Sequence, residues 1–274
     1  MLTNADIKFI RGLSKARSRA EEGLFVAEGP KLVSELLGAF PCRLLIASER
    51  LRSSLSSWLS GLPPEMYPQR IETVPDSFDF SRISGLVESQ GVVSLMEIPR
   101  EGLQSTPSSP LALLLDEVQD PGNMGTIIRT ADWFGVETIY LSPGCADPFA
   151  PKVVQATMGA LARVRLIKLD DVAAWLDKYS GIICGTFLEG SSLYRASLSP
   201  SPASPVLVVM GNEGRGISPT VENRVHRRLT IPAYPNEGRH TESLNVGIAT
   251  AIILSELRRP SFVLGLQGEQ PTSR

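Results

Sequence analysis

Three loops in this sequence carry polar side chains that can do chemistry. In LLLDEVQDPGNMGTIIRTADWFG, the apolar run Leu111–Leu115 enters a polar turn at Pro121-Gly122 and then a helical stretch. Asn123 can cap that helix and Gly135 can end it. Met124, Ile127, Ile128 and Ala131 form an apolar stripe. Arg129 lies off the stripe, and its plain use is a pair with Asp132 three residues on. In VLVVMGNEGRGIS, a buried strand ends in glycines that alternate with Asn212, Glu213 and Arg215, and Ser218-Pro219 opens another helix. The spacing is neither a dinucleotide fingerprint nor a P-loop. The glycines let a ligand approach the backbone, although an ordinary strand–turn–helix connection explains them too. In LTIPAYPNEGRHTESLNVGIATAIILSEL, a strand exits through Ile231-Pro232 into a long polar loop that Ser243 joins to an apolar helix. Ser243 can cap that helix, which leaves Asn245 at a buried threshold in need of a partner. No Ser-His-Asp order, no Gly-x-Ser-x-Gly elbow and no carboxylate cluster for a metal accompany this set, so nucleophilic hydrolysis is disfavoured.

Such loops need strands to hold them, because ligands of open α/β sheets bind beyond the carboxyl ends of strands. From residue 111 onward the frame is legible. Apolar runs at Leu111–Leu115, Thr138–Leu141, Val164–Ile167, Ile182–Gly185, Val206–Met210 and Leu229–Ile231 predict strands. Helical stretches at Asn123–Phe134, Lys152–Leu161, Val172–Tyr179 and Pro219–Val225 fall between most of them. This alternation predicts an α/β fold with a mainly parallel sheet, closed by a buried helix over Leu244–Leu257. Earlier in the chain, Asp6–Leu13 and Gly29–Leu37 read as helices, Arg43–Ala47 and Gly91–Glu97 as strands, and Ser48–Pro75 is polar and unassigned. Residues 98–110, IPREGLQSTPSSP, read as a linker. The expected domains are therefore 1–97 and 111–259, with a loose tail over 260–274.

The chain has 274 residues, 42% of them apolar and 20% charged, which suits a globular protein of one large or two modest domains. No apolar run approaches the roughly 18 residues of a membrane span, and the first residues lack the apolar stretch of a secretory signal. Cys42, Cys145 and Cys184 are scattered and odd in number, as suits a reducing cytoplasm. With two histidines and no Cys-x-x-Cys, a zinc site is disfavoured. The formal net charge of −2 hides a local excess: Lys8, Arg11, Lys15, Arg17 and Arg19 face Asp6 alone within residues 1–19. That stretch is either a solvated helix face or a phosphate-binding surface.

Taken together, the three loops resemble the signature motifs of the SpoU/TrmH family of RNA 2′-O-methyltransferases, within the SPOUT superfamily. Asp120-Pro121-Gly122-Asn123-Met124-Gly125 with Arg129-Thr130-Ala131 resembles the first motif, Met210 through Gly216 the second, and Ile231-Pro232 followed by Ser243-Leu244-Asn245-Val246 the third. Ala156-Thr157-Met158-Gly159-Ala160 is similar to a further family segment. The resemblance spans about residues 111–259. More weakly, Asn4 through Arg19 to Phe25-Val26-Ala27-Glu28-Gly29 resembles the family's substrate-binding extension. Two departures stand out: Gly247 replaces a common serine, and the loop between Pro232 and Ser243 is longer than usual.

The resemblance implies a knotted (trefoil), mainly parallel catalytic domain beside a smaller N-terminal L30e-like α/β domain. It implies S-adenosylmethionine as cofactor, ribosomal or transfer RNA as partner, a ribose 2′-hydroxyl as methyl acceptor, no metal, and a homodimer. Arg129 would stabilise the developing alkoxide, because a guanidinium hardly deprotonates. Asn123 would orient Arg129 or the ribose, Glu213 would pair with Arg129, and Ser243 and Asn245 would position the hydroxyl or cofactor. Gly211, Ile231 and Leu244 would form the adenosine pocket, with Thr186 lining it. Lys8, Lys15 and Arg19 would contact RNA phosphates. A SPOUT enzyme that methylates a base, or a non-catalytic RNA-binding or ribosome-assembly protein, stays open on these residues.

Overall fold

The computed structural model describes residues 2–99, 109–234 and 241–265, with 260–265 described for backbone alone. In chain order the elements begin with α1 (Asn4–Gly12), α2 (Ala16–Glu22), β1 (Leu24–Glu28), α3 (Pro30–Leu36), β2 (Cys42–Ser48), α4 (Arg52–Leu59), β3 (Ile71–Val74) and β4 (Val92–Glu97). They continue with β5 (Leu111–Leu115), α5 (Pro121–Trp133), β6 (Thr138–Leu141), α6 (Pro151–Thr157), β7 (Arg165–Lys168) and α7 (Val172–Leu176). The last are β8 (Ile182–Ser192), β9 (Val206–Met210), α8 (Pro219–Glu222), β10 (Arg227–Thr230) and α9 (Val246–Gly265). Among the described residues, 2–99 and 147–163 form one compact unit, and 109–146 and 164–265 form another.

The first unit is a four-stranded sheet in the order β1-β4-β2-β3. β4 runs antiparallel to both its neighbours, and β3 runs parallel to β2. Thr3 and Asp6 close α1 with a reciprocal capping box. Residues 147–163 join this unit rather than the one that precedes and follows them in sequence. Phe149 packs 5.1 Å from Phe25, which also meets Phe40 edge to face at 5.2 Å. Gln155 Nε2 donates to the Glu28 carbonyl at 2.8 Å, and Arg163 pairs with Glu35 at 2.9 Å. The span 111–259, expected as one domain, thus contains a segment that packs with the first unit, because an apolar pattern reports that a segment is buried and not what buries it.

Arg19 is likewise corrected as a phosphate contact. It is only 3% exposed. Its guanidinium donates to Asp147 Oδ2 from Nε at 2.9 Å and from Nη2 at 2.6 Å, and to the Leu13 and Ser14 carbonyls at 2.8 Å each. Those bonds consume the fork in tying α2 to the 147–163 segment. Lys8, Arg11 and Lys15 remain exposed and make no ion pair among the described residues, while Arg17 pairs with Glu21.

The second unit is a six-stranded sheet in the order β10-β8-β9-β5-β6-β7, parallel at every pairing. β5 and β9 lie at its middle and are buried at every position, which is why their sequences are unbroken apolar runs. One face carries a core of Leu114, Tyr140, Ile183, Leu207, Val209 and Ile217. Elsewhere α5 packs along α9, where Arg258 donates to the Phe134 and Gly135 carbonyls at 2.8 Å each. A cation there satisfies carbonyls that the end of α5 leaves unpaired. α9 does not stop before Pro260 but runs on to Gly265. Extending a formed helix is far easier than nucleating one, so one missing N–H does not end it. The loose tail expected after Pro260 otherwise lies outside the described residues, as does most of the predicted linker. Among the described residues no helix is long and apolar enough to cross a membrane, and no group of His, Cys, Asp or Glu can hold a metal.

Replacing Arg19 with Met should lower unfolding free energy by about 3–5 kcal/mol, since it strands the Asp147 carboxylate and two carbonyls in a largely buried site. Urea denaturation checks this, with Lys15→Met, an exposed neighbour, expected to change stability by less than about 0.5 kcal/mol.

Candidate active site

The sheet's connections diverge between β5 and β9. The chain leaves β5 for β6 on one side and reaches β9 on the other, so loops leaving these neighbours part and open a crevice at their carboxyl ends. At the bottom of that crevice the two loops are stapled together. The Asp116 carboxylate, buried after β5, accepts the Ser218 N–H at 2.6 Å. Asn212 Nδ2 donates to the Glu117 carbonyl at 2.8 Å, and Arg215 pairs with Glu117 at 2.5 Å. Within the second loop, Asn212 and Gly216 exchange backbone hydrogen bonds at 2.9 Å. Asn212 Oδ1 also accepts the Gly214 and Arg215 N–H groups at 3.0 Å each. Gly211 is required by this closure: a Cβ there would stand 2.4 Å from the Gly216 carbonyl carbon and 2.5 Å from the Ile217 nitrogen.

Helix α5 starts at the crevice. Its cap is Asp120, not Asn123: Asp120 Oδ1 accepts the Asn123 N–H at 2.7 Å, and Pro121 occupies the first helical position. The side chain of Asn123 is thereby released for other work. Its Nδ2 donates to Glu213 Oε1 at 2.8 Å, and its Oδ1 accepts Nδ2 of Asn245 at 2.8 Å. Asn245 in turn caps α9, its Oδ1 accepting the Gly247 and Ile248 N–H groups at 2.9 and 3.2 Å. Capping thus falls to Asn245 rather than Ser243, which is exposed and makes no hydrogen bond among the described residues. Gly247 lies close to α5, where a Cβ would meet Thr126 Cγ2 at 3.0 Å.

One residue from each of the three loops is therefore joined in a chain, with Asn123 bonded to both Glu213 and Asn245. Arg129 does not join them. Six helical positions separate it from Asn123, about 9 Å along the axis and roughly 120° around it. It is exposed and makes no hydrogen bond or ion pair among the described residues, so neither the expected pair with Glu213 nor the plain pair with Asp132 forms. Within β8, the Thr186 hydroxyl donates to the Val209 carbonyl of β9 at 3.1 Å. That bond holds β8 against β9 where their pairing ends at Gly185. Ile231 is half-buried, and Leu244 leaves 48% of its surface open although it is apolar. Sequence reasoning passed over Asp116 and Glu117 and gave Asn212 no role of its own, yet these three hold the crevice closed at its base. Their polar types immediately after buried strands were the available signal.

The sequence model of the SpoU rRNA Methylase family matches residues 110–255, and that of the MRM3-like substrate binding domain matches residues 4–94. A putative RNA methyltransferase of the TrmH family from Porphyromonas gingivalis is 44% identical in sequence. Its structure superposes with a TM-score of 0.82 over 95% of this chain and 99% of that one. The AdoMet-bound rRNA methyltransferase from Sinorhizobium meliloti is 30% identical, with a TM-score of 0.78 over 95% and 96%. A Bacillus subtilis relative named as a 23S rRNA guanosine 2′-O-methyltransferase, RlmP, is 30% identical over 93% of this chain and 96% of its own.

Asn245→Ala should cost about 1 kcal/mol of stability through the lost helix cap. Asn123→Ala should cost less than about 0.5 kcal/mol, because it caps nothing and stays near solvent. Parallel urea titrations of the two variants separate these values.

Proposed function

This chain belongs to the SpoU rRNA methylase family, and we propose from that premise that it methylates a ribose 2′-hydroxyl in structured ribosomal RNA. It is an RNA methyltransferase, and S-adenosylmethionine is its cofactor. The residues beyond the strand ends fit that molecule. Leu244 and Ile231 offer apolar surface to a purine ring, and the Gly211 segment offers backbone with no side chain in the way. When bound, the cofactor would supply an electrophilic methyl on a sulfonium, and its transfer to the 2′-oxygen would break the carbon–sulfur bond and pass the hydroxyl proton to solvent.

The protein's share is orientation and charge. Asn123 and Asn245 hold the acceptor ribose or the cofactor at the crevice, and Glu213 fixes Asn123 in the orientation that does so. Ser243, exposed beside them, offers a hydroxyl to the same group. Arg129 stabilises the oxygen as it loses its proton and anchors the adjacent phosphate. The observation that carries this reading is the Asn245–Asn123–Glu213 chain, which joins one residue of each motif.

The active assembly in this proposal is a cytoplasmic homodimer, in which Arg129 completes a site with parts from a second copy. Its unpaired guanidinium supports that, as do the exposed apolar side chains of Trp133, 83% open, and Ile248 on the paired helices α5 and α9. The three free cysteines suit a reducing compartment; burial pushes the Cys42 thiol up to about 12 and Cys184 up to about 11. The proposal includes a trefoil knot in the second unit, as membership of the SpoU methylase family implies. The first unit, L30e-like in this reading, binds RNA through Lys8 and Lys15.

Incubation with labelled S-adenosylmethionine and ribosomal RNA, followed by nuclease digestion and mass spectrometry, should place the methyl on a ribose. A methylated base would overturn the reading. Arg129→Ala should lower turnover about 10²–10³-fold while cofactor binding by calorimetry persists. Replacing Lys8 and Lys15 together with Ala should flatten the salt dependence of RNA binding by about 0.7 log unit per lost phosphate contact.

A further inference from the structure

The first unit holds a polar cleft that the methyl-transfer site does not use. At the carboxyl end of β2, Ser48 is 2% exposed, and its hydroxyl has no hydrogen-bond partner among the described residues. Leaving a buried hydroxyl unpaired costs about 1–3 kcal/mol, which a ligand that reached it at the Gly91 wall would recover. Gly91 faces it with φ +80°, and a Cβ there would lie 2.9 Å from Ser48 Oγ and 3.0 Å from Arg50 Nη2. A hydroxyl and a guanidinium therefore converge on the one wall without a side chain. The Arg50 side chain makes no hydrogen bond or ion pair among the described residues. Two carboxylates share the cleft: Asp76 Oδ1 accepts the Arg50 backbone N–H at 3.0 Å, and Asp79 Oδ1 accepts that of Ser81 at 3.0 Å. Phe78 stands edge to face with Phe80 at 5.2 Å and supplies an aromatic wall.

Size and charge narrow the occupant. The cleft measures about 280 Å³ and opens to solvent, just below the range of enclosed small-molecule sites, a size that suits one planar ring system with the rest of its nucleotide outside. Two carboxylates outweigh one guanidinium, which disfavours a phosphate. The lining instead suits a flat group whose edge carries both donors and acceptors. Among nucleobases, guanine offers adjacent imino and amino donors to a carboxylate and the O6/N7 acceptor pair to an arginine fork. Unstacked bases are what proteins read in RNA loops, commonly against an aromatic ring. We propose that this cleft captures one unpaired guanine of the substrate RNA, a nucleotide other than the methylated one, and so contributes to choosing the RNA. The inference rests on the RNA-methylating function proposed above.

Titrating the ¹⁵N-labelled full chain with guanosine 5′-monophosphate, cytidine 5′-monophosphate and ribose 5-phosphate tests it. The guanine nucleotide should shift the Ser89, Gly91 and Arg50 amide resonances, cytidine monophosphate should bind about tenfold more weakly, and ribose 5-phosphate should shift nothing. Equal shifts from ribose 5-phosphate would make this an anion site and overturn the proposal, as would no response to any ligand or equal response to both bases. Arg50→Gln and Ser48→Ala, each checked for an otherwise unchanged amide spectrum, should weaken guanine binding about tenfold. In methyl-transfer assays the Arg50→Gln loss should fall on KM for RNA rather than on kcat. Absence of any methyl transfer by the unaltered protein would sink the proposed function but leave the titration to judge the cleft by itself.

Discussion

A carboxylate can only accept hydrogen bonds, and that limit orients the centre of this site. Glu213 Oε1 must face a donor, so Asn123 turns its Nδ2 toward it. That leaves Asn123 Oδ1 as an acceptor, which obliges Asn245 to present its own Nδ2. Asn245 Oδ1 is then free for the unpaired N–H groups that open α9. A single direction of polarity runs from an ionisable side chain in one loop, through two amides, into the first turn of a helix in another. Asn suits the middle because its short planar amide carries one donor and one acceptor, where Asp would offer acceptors alone and Ala neither. A longer Gln would displace the partners.

The frame around that chain is arranged so that it can form. β5 and β9 are adjacent, buried on both faces and aligned residue for residue from Leu111 with Val206 to Leu115 with Met210. Their ends are therefore level, and the loops after them leave from a common height. Asp116 and Asn212 use that level to stitch the loops at their base. Helices α5 and α9 are pinned twice, near their starts through Asn123 and Asn245, and farther along where Arg258 holds the carbonyls after α5. The paired ends leave little freedom for the crevice to change width.

Much of this was readable from residues. β5, β6 and β9 announce themselves because burial on both faces removes polar positions, and the loops after β5 and β9 stand out because polar residues follow such runs directly. The misses have physical causes. α2 reads ARSRAEE and shows no apolar stripe, because its one buried side chain is Arg19, a residue type that sequence reasoning sends to solvent. β3 is four residues at a sheet edge and half open, so it lacks an alternating pattern. Asp120 and Asn123 are both good caps, and Pro121 was the clue that favoured the first. The pair expected between Arg129 and Glu213 failed on helical geometry, since six positions carry a side chain away from the cap.

The placing of residues 147–163 has a consequence for how this protein can be taken apart. The chain leaves the first unit after β4, builds β5, α5 and β6 of the second, returns to the first for α6, and then departs again. If the second unit melts, the stretch 109–146 remains tethered at both ends as a closed loop. Its disordered ensemble is smaller than that of a free chain, much as a crosslink would make it. The same interleaving defeats modularity. No single cut separates the units, and a gene fragment for either one would have to splice out a piece that belongs to the other.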